Sequence, residues 1–294
     1  MRELYMETAL ITGSSTGIGQ SVALHLARNG FQVFATMRNP EAGKDLLTIA
    51  SDEGIEITVL RLDVNDVDSC NSCVSEVISR AGQIDVLVNN AGIGGGGAVE
   101  ETPIEVFRDL FETNVFGALQ MMQLVLPGMR ERKHGMIVNV TSVAGRVASP
   151  SMGAYVGSKF ALDSITEVLA AEVYRFGVRV ALIEPGVVLT PIFTKRDERV
   201  TSSVESPYRE FSERIGHHFA TKLQNPAMPE DVAQVILDAI TTDTPKLRYL
   251  VGTDAETLMS ARQKTSDEEW VAMGREMTLE EFSEIQSQMG IDLS

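Results

Sequence analysis

The sequence predicts an α/β fold: a doubly wound parallel sheet of about seven strands with helices on both faces. Short runs of Val, Ile and Leu alternate with longer helical stretches, and several runs are continuously apolar, as in strands covered on both faces. Strand–helix alternation requires right-handed crossovers, which make the strands parallel. The predicted strands are residues 8–12, 32–37, 56–62, 86–89, 136–141, 178–184 and 248–251.

Helical stretches separate the predicted strands. Residues 17–29 and 103–133 carry apolar residues at helical spacing, and a glycine follows each stretch. Residues 66–80 and 152–176 form two further helical patterns. Because no linker, repeat or low-complexity segment interrupts the alternation, residues 1–254 are predicted to form one domain.

Two segments do not fit this alternation. Residues 190–229 are rich in charge, Ser and Pro, and they contain an amphipathic helical pattern that predicts a lid over an apolar ligand. The alternative is a surface elaboration with no role in substrate binding. Residues 255–294 are predicted to be an acidic, partly helical extension, because Thr278 and Glu281 have capping-box spacing. The apolar lid residues at helical spacing are Tyr208, Phe211, Ile215 and Phe219.

Charge and hydropathy limit the partners of the chain. The 294 residues carry a formal net charge of −16, with a sequence pI of about 4.7. Such an acidic surface repels nucleic-acid phosphates and anionic lipids, so neither is expected to bind. No apolar run is long enough to span a bilayer, and the first predicted strand begins at Thr8, which leaves no room for a signal peptide. A cytoplasmic location is therefore expected.

Several residues with reactive side chains receive structural interpretations. Cys70 and Cys73 have C-x-x-C spacing, but no second cysteine pair or nearby histidine completes a zinc site. A redox pair is the other alternative, although no thioredoxin-like strand precedes them, and we interpret both as small residues of a helix. His217 and His218 are interpreted as a surface pair, and Asp163 as a surface partner of Lys159. No metal site is predicted.

A glycine-rich turn with G-x-x-x-G-x-G spacing follows the first predicted strand and leads directly into a helix. Glycines let the backbone approach a pyrophosphate closely, and the helix N-terminus offers unpaired N–H groups and a positive dipole end. Because the strand and the helix are both present, this turn predicts dinucleotide binding. Its residues are Gly13, Ser15, Thr16, Gly17, Ile18 and Gly19.

The end of the second predicted strand bears on the choice of dinucleotide. Enzymes that prefer NAD place Asp or Glu there to bind the ribose 2′-hydroxyl, whereas this strand ends in A-T-M followed by Arg38. A guanidinium neutralises a 2′-phosphate, so Arg38 predicts NADP(H); the alternative is a solvated surface arginine. Asp63, with Val64 beside it, is predicted to bind the adenine amino group or, alternatively, to cap the next helix.

Tyr155 and Lys159 stand four residues apart in a helix-forming stretch, so both side chains project from one helix face. A phenol titrates near pH ~10, and a neighbouring cation lowers that pKa towards the range needed for acid/base chemistry. Ser142 and the segment 89–92 end two strands at the carboxyl edge, where doubly wound sheets bind ligands. Asn114 is an unusual residue within a long helix. Each residue alone could be a cap or a surface group, but together they indicate an active site.

In these motifs the sequence resembles the short-chain dehydrogenase/reductase family, whose members have a Rossmann-like fold; the match extends from about residue 8 to 252. The resemblance implies that Tyr155 is the acid/base and that Ser142 orients the substrate carbonyl. It implies that Lys159 holds the nicotinamide ribose and lowers the pKa of Tyr155. Asn114 would support a proton-relay water, and Thr190 would contact the nicotinamide carboxamide. The remaining residues of the implied cofactor site are Asn90, Ala91, Gly92, Pro185, Gly186 and Val188.

Residues 35–38 and 155–162 resemble the branch of 17β-hydroxysteroid and retinol dehydrogenases, which tends to use NADP(H). The sequence thus predicts hydride transfer between NADP(H) and a bulky, apolar alcohol or ketone. The alternatives are a non-catalytic dinucleotide-binding sensor or scaffold, and an epimerase or dehydratase. The four glycines 94–97 are expected either to let a bulky substrate approach or to form a flexible loop.

Two long predicted helices carry apolar residues on more than one face. A helix that packs on the sheet with one face needs a second partner for the other, which predicts a homodimer or homotetramer. The residues concerned are Leu119, Met122, Leu126, Leu162, Ile165 and Leu169.

Overall fold

A seven-stranded parallel sheet forms the centre of the computed structural model, which describes residues 6–193, 199–200 and 205–291. All seven predicted strands are present, and their bounds differ from the prediction only at the ends. They are β1 (Thr8–Ile11), β2 (Gln32–Met37), β3 (Ile57–Arg61), β4 (Val86–Asn89), β5 (Gly135–Val140), β6 (Val178–Pro185) and β7 (Arg248–Val251).

The strand order is β3-β2-β1-β4-β5-β6-β7, and every pair is parallel. Strand β1 pairs with β2 on one side and with β4 on the other, so the direction of winding reverses between β1 and β4. Ligands of doubly wound sheets bind at the carboxyl ends of the strands beside such a reversal. This topology therefore places the functional site at the ends of β1, β4 and β5.

Helices cover both faces of the sheet, as predicted. The helices of the described residues are α1 (Gly17–Arg28), α2 (Lys44–Glu53), α3 (Val67–Ala81), α4 (Ile104–Phe111), α5 (Gly117–Arg132), α6 (Gly153–Val173), α7 (Arg209–Lys222), α8 (Pro229–Thr241), α9 (Thr253–Lys264), α10 (Asp267–Ala272) and α11 (Leu279–Gln288). Helices α1, α2 and α8 pack on one face, and α3, α5 and α6 pack on the other.

The predicted helix 103–133 is two helices, α4 and α5, joined by a π-helical turn at Glu112–Phe116. A π turn contains one more residue than an α turn and often occurs at functional sites. Here it contains Asn114, whose side-chain amide bonds to the backbone of the loop after β4. The interruption thus brings an interior helix residue to the loop at the carboxyl edge of the sheet.

The C-terminal extension is more ordered than expected, because residues 253–288 form the three helices α9, α10 and α11 rather than one short helix. Helix α11 begins at the predicted capping box: Thr278 Oγ1 accepts from the N–H of Glu281 at 3.2 Å, and Glu281 Oε2 accepts from the N–H of Thr278 at 2.7 Å. Helix α7 coincides with the amphipathic pattern in 190–229.

The interpretation of Asp163 as a surface partner of Lys159 is wrong. Asp163 is buried, and it accepts a hydrogen bond of 2.6 Å from Nη1 of Arg248 on β7. Cys70 and Cys73 are free thiols buried in the core beneath α3, which agrees with their structural interpretation. Within the described ranges, no helix is long and apolar enough to cross a membrane, and no cluster of His, Cys, Asp and Glu is arranged for a metal ion.

Candidate active site

The glycine-rich turn after β1 is held against the loop after β4. Asn90 Nδ2 donates to the carbonyl oxygens of Thr12 at 2.9 Å and Gly13 at 3.1 Å. Thr12 Oγ1 accepts from the N–H groups of Asn90 and Ala91 at 3.0 and 2.9 Å. Thr12 was not among the predicted site residues, because the partners of its hydroxyl lie some 78 residues away in sequence. These bonds fix the turn at the carboxyl edge of the sheet.

The N-terminus of α1 has the features that a pyrophosphate requires. Thr16 is the N-cap residue, and its side chain makes no capping hydrogen bond. The N–H groups of the first turn are therefore not satisfied by that side chain and can bind an anion. A Cβ atom on Gly17 would lie 3.2 Å from Cγ2 of Thr190, so Thr190 lies directly over the turn. The predicted residues at this turn thus fit a dinucleotide phosphate.

The predicted adenine side of the site lies at the ends of β2 and β3. Arg38 is exposed there, and Asp63 is half-buried with Oδ1 accepting from the N–H of Asn65 at 3.1 Å. The alternative that Asp63 caps α3 is wrong, because Asp66 accepts the capping bonds from the first turn of that helix. Val64 is buried, and its Cγ2 atom would lie 2.8 Å from a Cβ on Gly117. Adenine binding by Asp63 and phosphate binding by Arg38 stay predictions.

Tyr155, Lys159 and Ser142 lie together at the carboxyl end of β5. The Ser142 hydroxyl accepts from the N–H of Ala144 at 3.1 Å and donates to the carbonyl of Pro185 at 3.3 Å, and it lines the same cavity as Tyr155. Lys159 Nζ lies 5.7 Å from the centroid of the Tyr155 ring. Helix α6 carries both residues on one face, as the spacing predicted.

Burial controls the protonation of this cluster. It raises the pKa of the Tyr155 phenol, and the hydrogen bond with Ser142 offsets only part of that effect. It also lowers the pKa of Lys159 to about 8, although Nζ still donates to the carbonyl of Val140 at 3.1 Å. The sequence analysis predicts that Lys159 lowers the pKa of Tyr155, whereas in the structure that pKa is raised. The phenol is consequently protonated near neutral pH and able to donate a proton.

Asn114 lies behind this cluster. Its Oδ1 accepts from the N–H of Ile93 at 2.8 Å, and its Nδ2 donates at 3.0 Å both to the carbonyl of Ile93 and to Ser158 Oγ. The hydroxyl of Ser158 in turn donates to the carbonyl of Tyr155 at 2.7 Å. Asn114 thereby fixes the loop after β4 and the helical turn that carries Tyr155. Its proton-relay role stays a prediction.

A cavity of about 480 Å³ opens beside Ser142 and Tyr155. This volume is in the usual range for a site that binds a drug-sized ligand. Residues 94–97 form part of the wall. The loop they form is packed against its surroundings, because Gly97 N–H donates to the carbonyl of Ser151 at 2.6 Å and a Cβ on Gly94 would lie 3.0 Å from Cγ1 of Ile192. Glycines at these positions therefore leave space for the cavity.

The interpretation of His217 and His218 as a surface pair is wrong for His218. His217 is exposed, but His218 is half-buried and lines the cavity, with Nδ1 3.3 Å from Oε1 of Gln286 on α11. Burial lowers the pKa of the His218 ring, so it is neutral near pH 7. No local pattern indicates this placement, because Gln286 is 68 residues away.

The segment after β6 closes the predicted nicotinamide side of the site. Gly186 N–H donates to the carbonyl of Val251 at 2.9 Å, and Val187 N–H donates to Asp254 Oδ2 at 2.7 Å. Val188 is buried and forms a β-bridge with Ala227 just before α8. Asp254 lines the cavity and was not predicted. Its only sequence signal is an acidic first turn of a helix, which commonly complements the helix dipole instead.

A glycine turn at the reversal point of a doubly wound sheet is thus combined with a Ser–Tyr–Lys cluster beside a cavity. Such a turn can accommodate a dinucleotide, and a protonated phenol at a cavity is able to donate a proton to a substrate oxygen. Together they define the chain as a nicotinamide-dependent oxidoreductase.

Comparison with known proteins identifies the family. The model of the short chain dehydrogenase family matches residues 7–201. Retinol dehydrogenase 8 of Bos taurus is 35% identical over 272 residues, covering 87% of this chain and 84% of that protein. The 17-beta-hydroxysteroid dehydrogenase type 1 of Mus musculus is 34% identical over 291 residues, covering 95% and 83%. A crystal structure of an actinorhodin polyketide ketoreductase variant with NADPH has a TM-score of 0.73 and 32% identity, covering 84% of this chain and 95% of that chain.

The chain therefore belongs to the short-chain dehydrogenase family, in the branch that contains the retinol and 17β-hydroxysteroid dehydrogenases. It is an oxidoreductase, and its cofactor is a nicotinamide dinucleotide. Nothing in the described residues or in these comparisons favours the non-catalytic sensor or scaffold.

Proposed function

We propose that this oxidoreductase transfers a hydride between NADP(H) and a bulky, apolar ketone or alcohol, with Tyr155 as the acid/base. The observation that carries the proposal is the protonated Tyr155 phenol, which lines a cavity of about 480 Å³ together with Ser142. Apolar side chains from three parts of the chain line the same cavity, which suits an apolar substrate. They include Ile192, Ile215, Phe219 and Leu258.

The residues of the cluster divide the chemistry of ketone reduction between them. When bound, NADPH supplies the hydride that reduces the carbonyl carbon. Tyr155 donates its phenolic proton to the carbonyl oxygen, which completes the alcohol. Ser142, which lines the cavity together with Tyr155, orients that oxygen through its hydroxyl. Lys159, held by the carbonyl of Val140, would bind the ribose of the nicotinamide.

Replacement of Tyr155 by Phe tests the acid/base assignment. We expect Tyr155→Phe to lower kcat by about 10²–10⁴-fold, because general acid catalysis contributes factors of that size. NADPH affinity should change little, since the phenol acts on the substrate. Tyr174→Phe is the matched control, because Tyr174 is exposed at the end of α6. A Tyr155→Phe enzyme that retains most of its turnover would disprove the assignment.

The preference for NADP(H) is supported by the exposed Arg38 at the end of β2, by the missing acid there and by the NADPH bound to the related ketoreductase. We expect Arg38→Ser to lower kcat/KM with NADPH by about 10–100-fold, the value of one charged hydrogen bond, and to leave kcat/KM with NADH unchanged. Arg80→Ser is the control, because Arg80 is exposed and bonds to Glu76 in the same helix. A wild-type enzyme that favours NAD(H) would contradict the proposal.

A further inference from the structure

Helix α7 contacts both the cavity and the C-terminal extension. Ile215, His218 and Phe219 line the cavity from this helix. Arg214 stands one position before Ile215, and this residue is only 6% exposed. Arginine is almost never buried without a partner, because removing a guanidinium from water is costly. The contacts of Arg214 therefore show what holds α7 in place.

Those contacts come from the turn between α10 and α11 and from aromatic rings. Arg214 Nη1 donates to the carbonyl of Met277 at 2.6 Å, and Nη2 donates to the carbonyl of Arg275 at 3.4 Å. The guanidinium carbon lies 5.2 Å from the ring centroid of Phe211 and 5.9 Å from that of Phe282. A planar cation between two rings and two carbonyl oxygens joins α7 to α11.

The extension held in this way is itself part of the cavity. Leu258 of α9 and Ile291, which follows α11, both line it. The N–H of Ile291 donates to the carbonyl of Gln286 at 2.9 Å, and the side chain of Gln286 contacts His218. The position of α7 relative to α11 therefore sets the shape of this part of the wall.

We propose that Arg214 is a positioning residue for substrate size: it fastens α7 to the C-terminal extension, so that residues 253–291 form one wall of the substrate cavity. Arg214 and its partners all lie beyond residue 201, where the match to the family model ends. The part of the wall that Arg214 positions is thus separate from the segment that carries the Ser–Tyr–Lys cluster. The effect on substrates rests on the proposed ketone reduction, but the fastening of α7 does not.

The test compares Arg214→Met with Arg209→Met. Arg209 is on the same helix, is exposed and bonds to Glu213. Two readouts are structural: hydrogen exchange of the α7 and α11 amides, and the emission of Trp270. Trp270 is the one tryptophan of the chain, and its Nε1 donates to the carbonyl of Ala148 at 3.0 Å, so it reports docking of the extension. The third readout is KM for a small and for a bulky apolar ketone, with NADPH affinity measured separately.

For Arg214→Met we expect faster exchange in α7 and α11, a red-shifted Trp270 emission and a KM for the bulky ketone raised about tenfold. The KM for the small ketone, kcat and the NADPH affinity should match the Arg209 variant. Arg214→Lys keeps the charge but not the planar fork of the guanidinium. Its ratio of the KM for the bulky ketone to the KM for the small ketone should therefore lie between those of the wild type and of Arg214→Met. If Arg214→Met does not fold, Arg214→Lys is the test: the same ratio of KM values should be higher than in the wild type, and an unchanged ratio would overturn the proposal.

Exchange rates and KM values equal to those of the control would overturn the proposal. An equal rise of KM for both ketones would also overturn it, because it would show a general structural role. A wild-type protein that reduces no ketone would instead contradict the proposed function. Faster exchange in Arg214→Met would in that case still support the fastening of α7.

Discussion

At the scale of single residues, the charge of Lys159 is expected to make NADPH binding depend on pH. Its pKa is lowered from the usual 10.5 to about 8 by burial, so the ammonium is lost as the pH rises through about 8. An ammonium donates to the ribose hydroxyls more strongly than a neutral amine. We therefore expect NADPH affinity, measured by fluorescence titration, to fall by up to about tenfold between pH 7 and pH 9.

Lys159→Met is the control for this titration, because it removes the titrating group. Its NADPH affinity should be weak at every pH, without a step near pH 8. A wild-type affinity that stays constant from pH 7 to pH 9 would show that the charge of Lys159 does not contribute to binding.

Gly19 is the residue in the phosphate turn with the least space. A Cβ there would lie 2.4 Å from the carbonyl oxygen of Gly13 and 2.5 Å from Asn90 Nδ2. We expect Gly19→Ala to lower the free energy of unfolding by about 1–3 kcal/mol, as overpacking does, and to weaken NADPH binding. Gly216→Ala is the control, since a Cβ on Gly216 meets nothing within 4 Å. Unfolding and NADPH titration of Gly19→Ala indistinguishable from wild type would contradict the tight contact.

The residues that sequence analysis could identify are those whose role depends on local spacing. Tyr155 and Lys159 are one helical turn apart, and Gly13 and Gly19 flank one turn of the chain. Thr12, Asp254 and His218 have partners far away in sequence, so no local pattern identifies them. The same limit explains Asp163, which is four residues from Lys159 but bonds to Arg248 across 85 residues.

At the scale of elements, Arg248 joins the strand β7 to β6 and to helix α6, which carries Tyr155 and Lys159. Its Nη1 donates to Glu184 Oε1 at 2.8 Å and to Asp163 Oδ2 at 2.6 Å, and its Nη2 donates to Glu167 at 2.5 Å. Burial raises the pKa of Glu184, and the bonds from Arg248 lower it in part. Arg248 thus balances the negative charges of two buried carboxylates, Asp163 on α6 and Glu184 on β6.

We expect Arg248→Met to lower the free energy of unfolding by about 3–5 kcal/mol at pH 7, because it removes the cation from buried Asp163 and leaves Glu184 with the 3.4 Å contact to Arg146. The loss should shrink towards pH 5: Glu184 has a raised pKa in the folded state, so protonation relieves its cost as the pH falls. Urea unfolding at both pH values measures this. Arg80→Met, which removes an exposed ion pair, should cost less than about 1 kcal/mol. A similarly small loss in Arg248→Met would contradict the role of the network.

The elements themselves were largely predictable, because strands buried on both faces and amphipathic helices leave periodic patterns. All seven strands follow from such runs, and α11 follows from its capping box. The π turn at Glu112–Phe116 did not follow, since it depends on the contact of Asn114 with Ile93. The docking of α10 and α11 on α7 also left no pattern, because Arg214 bonds to backbone carbonyls, which every residue possesses.

At the scale of the whole molecule, the side chains available for the predicted homo-oligomer interface differ from those that the sequence pattern indicated. Met122 and Leu162 are buried in the core beneath α5 and α6, so they cannot lie at an interface between subunits. Other apolar side chains are exposed. Phe116, in the π turn between α4 and α5, is 51% exposed; Val168 on α6 is 57% exposed, and Phe160 on α6 is exposed too. The sequence pattern indicated two apolar faces but could not show which residues belong to which face.

We expect the wild-type protein to be a dimer or tetramer that buries these exposed side chains, because a twofold axis pairs the same apolar surface of two copies. Phe116→Glu combined with Val168→Glu should yield a monomer, since carboxylates from both copies would meet at the interface and lose water there. Multi-angle light scattering at micromolar concentration measures the mass. Val271→Glu on α10, an apolar position that is even more exposed, should leave the assembly unchanged. A monomeric wild-type protein would contradict the prediction, and an oligomer that survives both glutamates would place the interface elsewhere on the molecule.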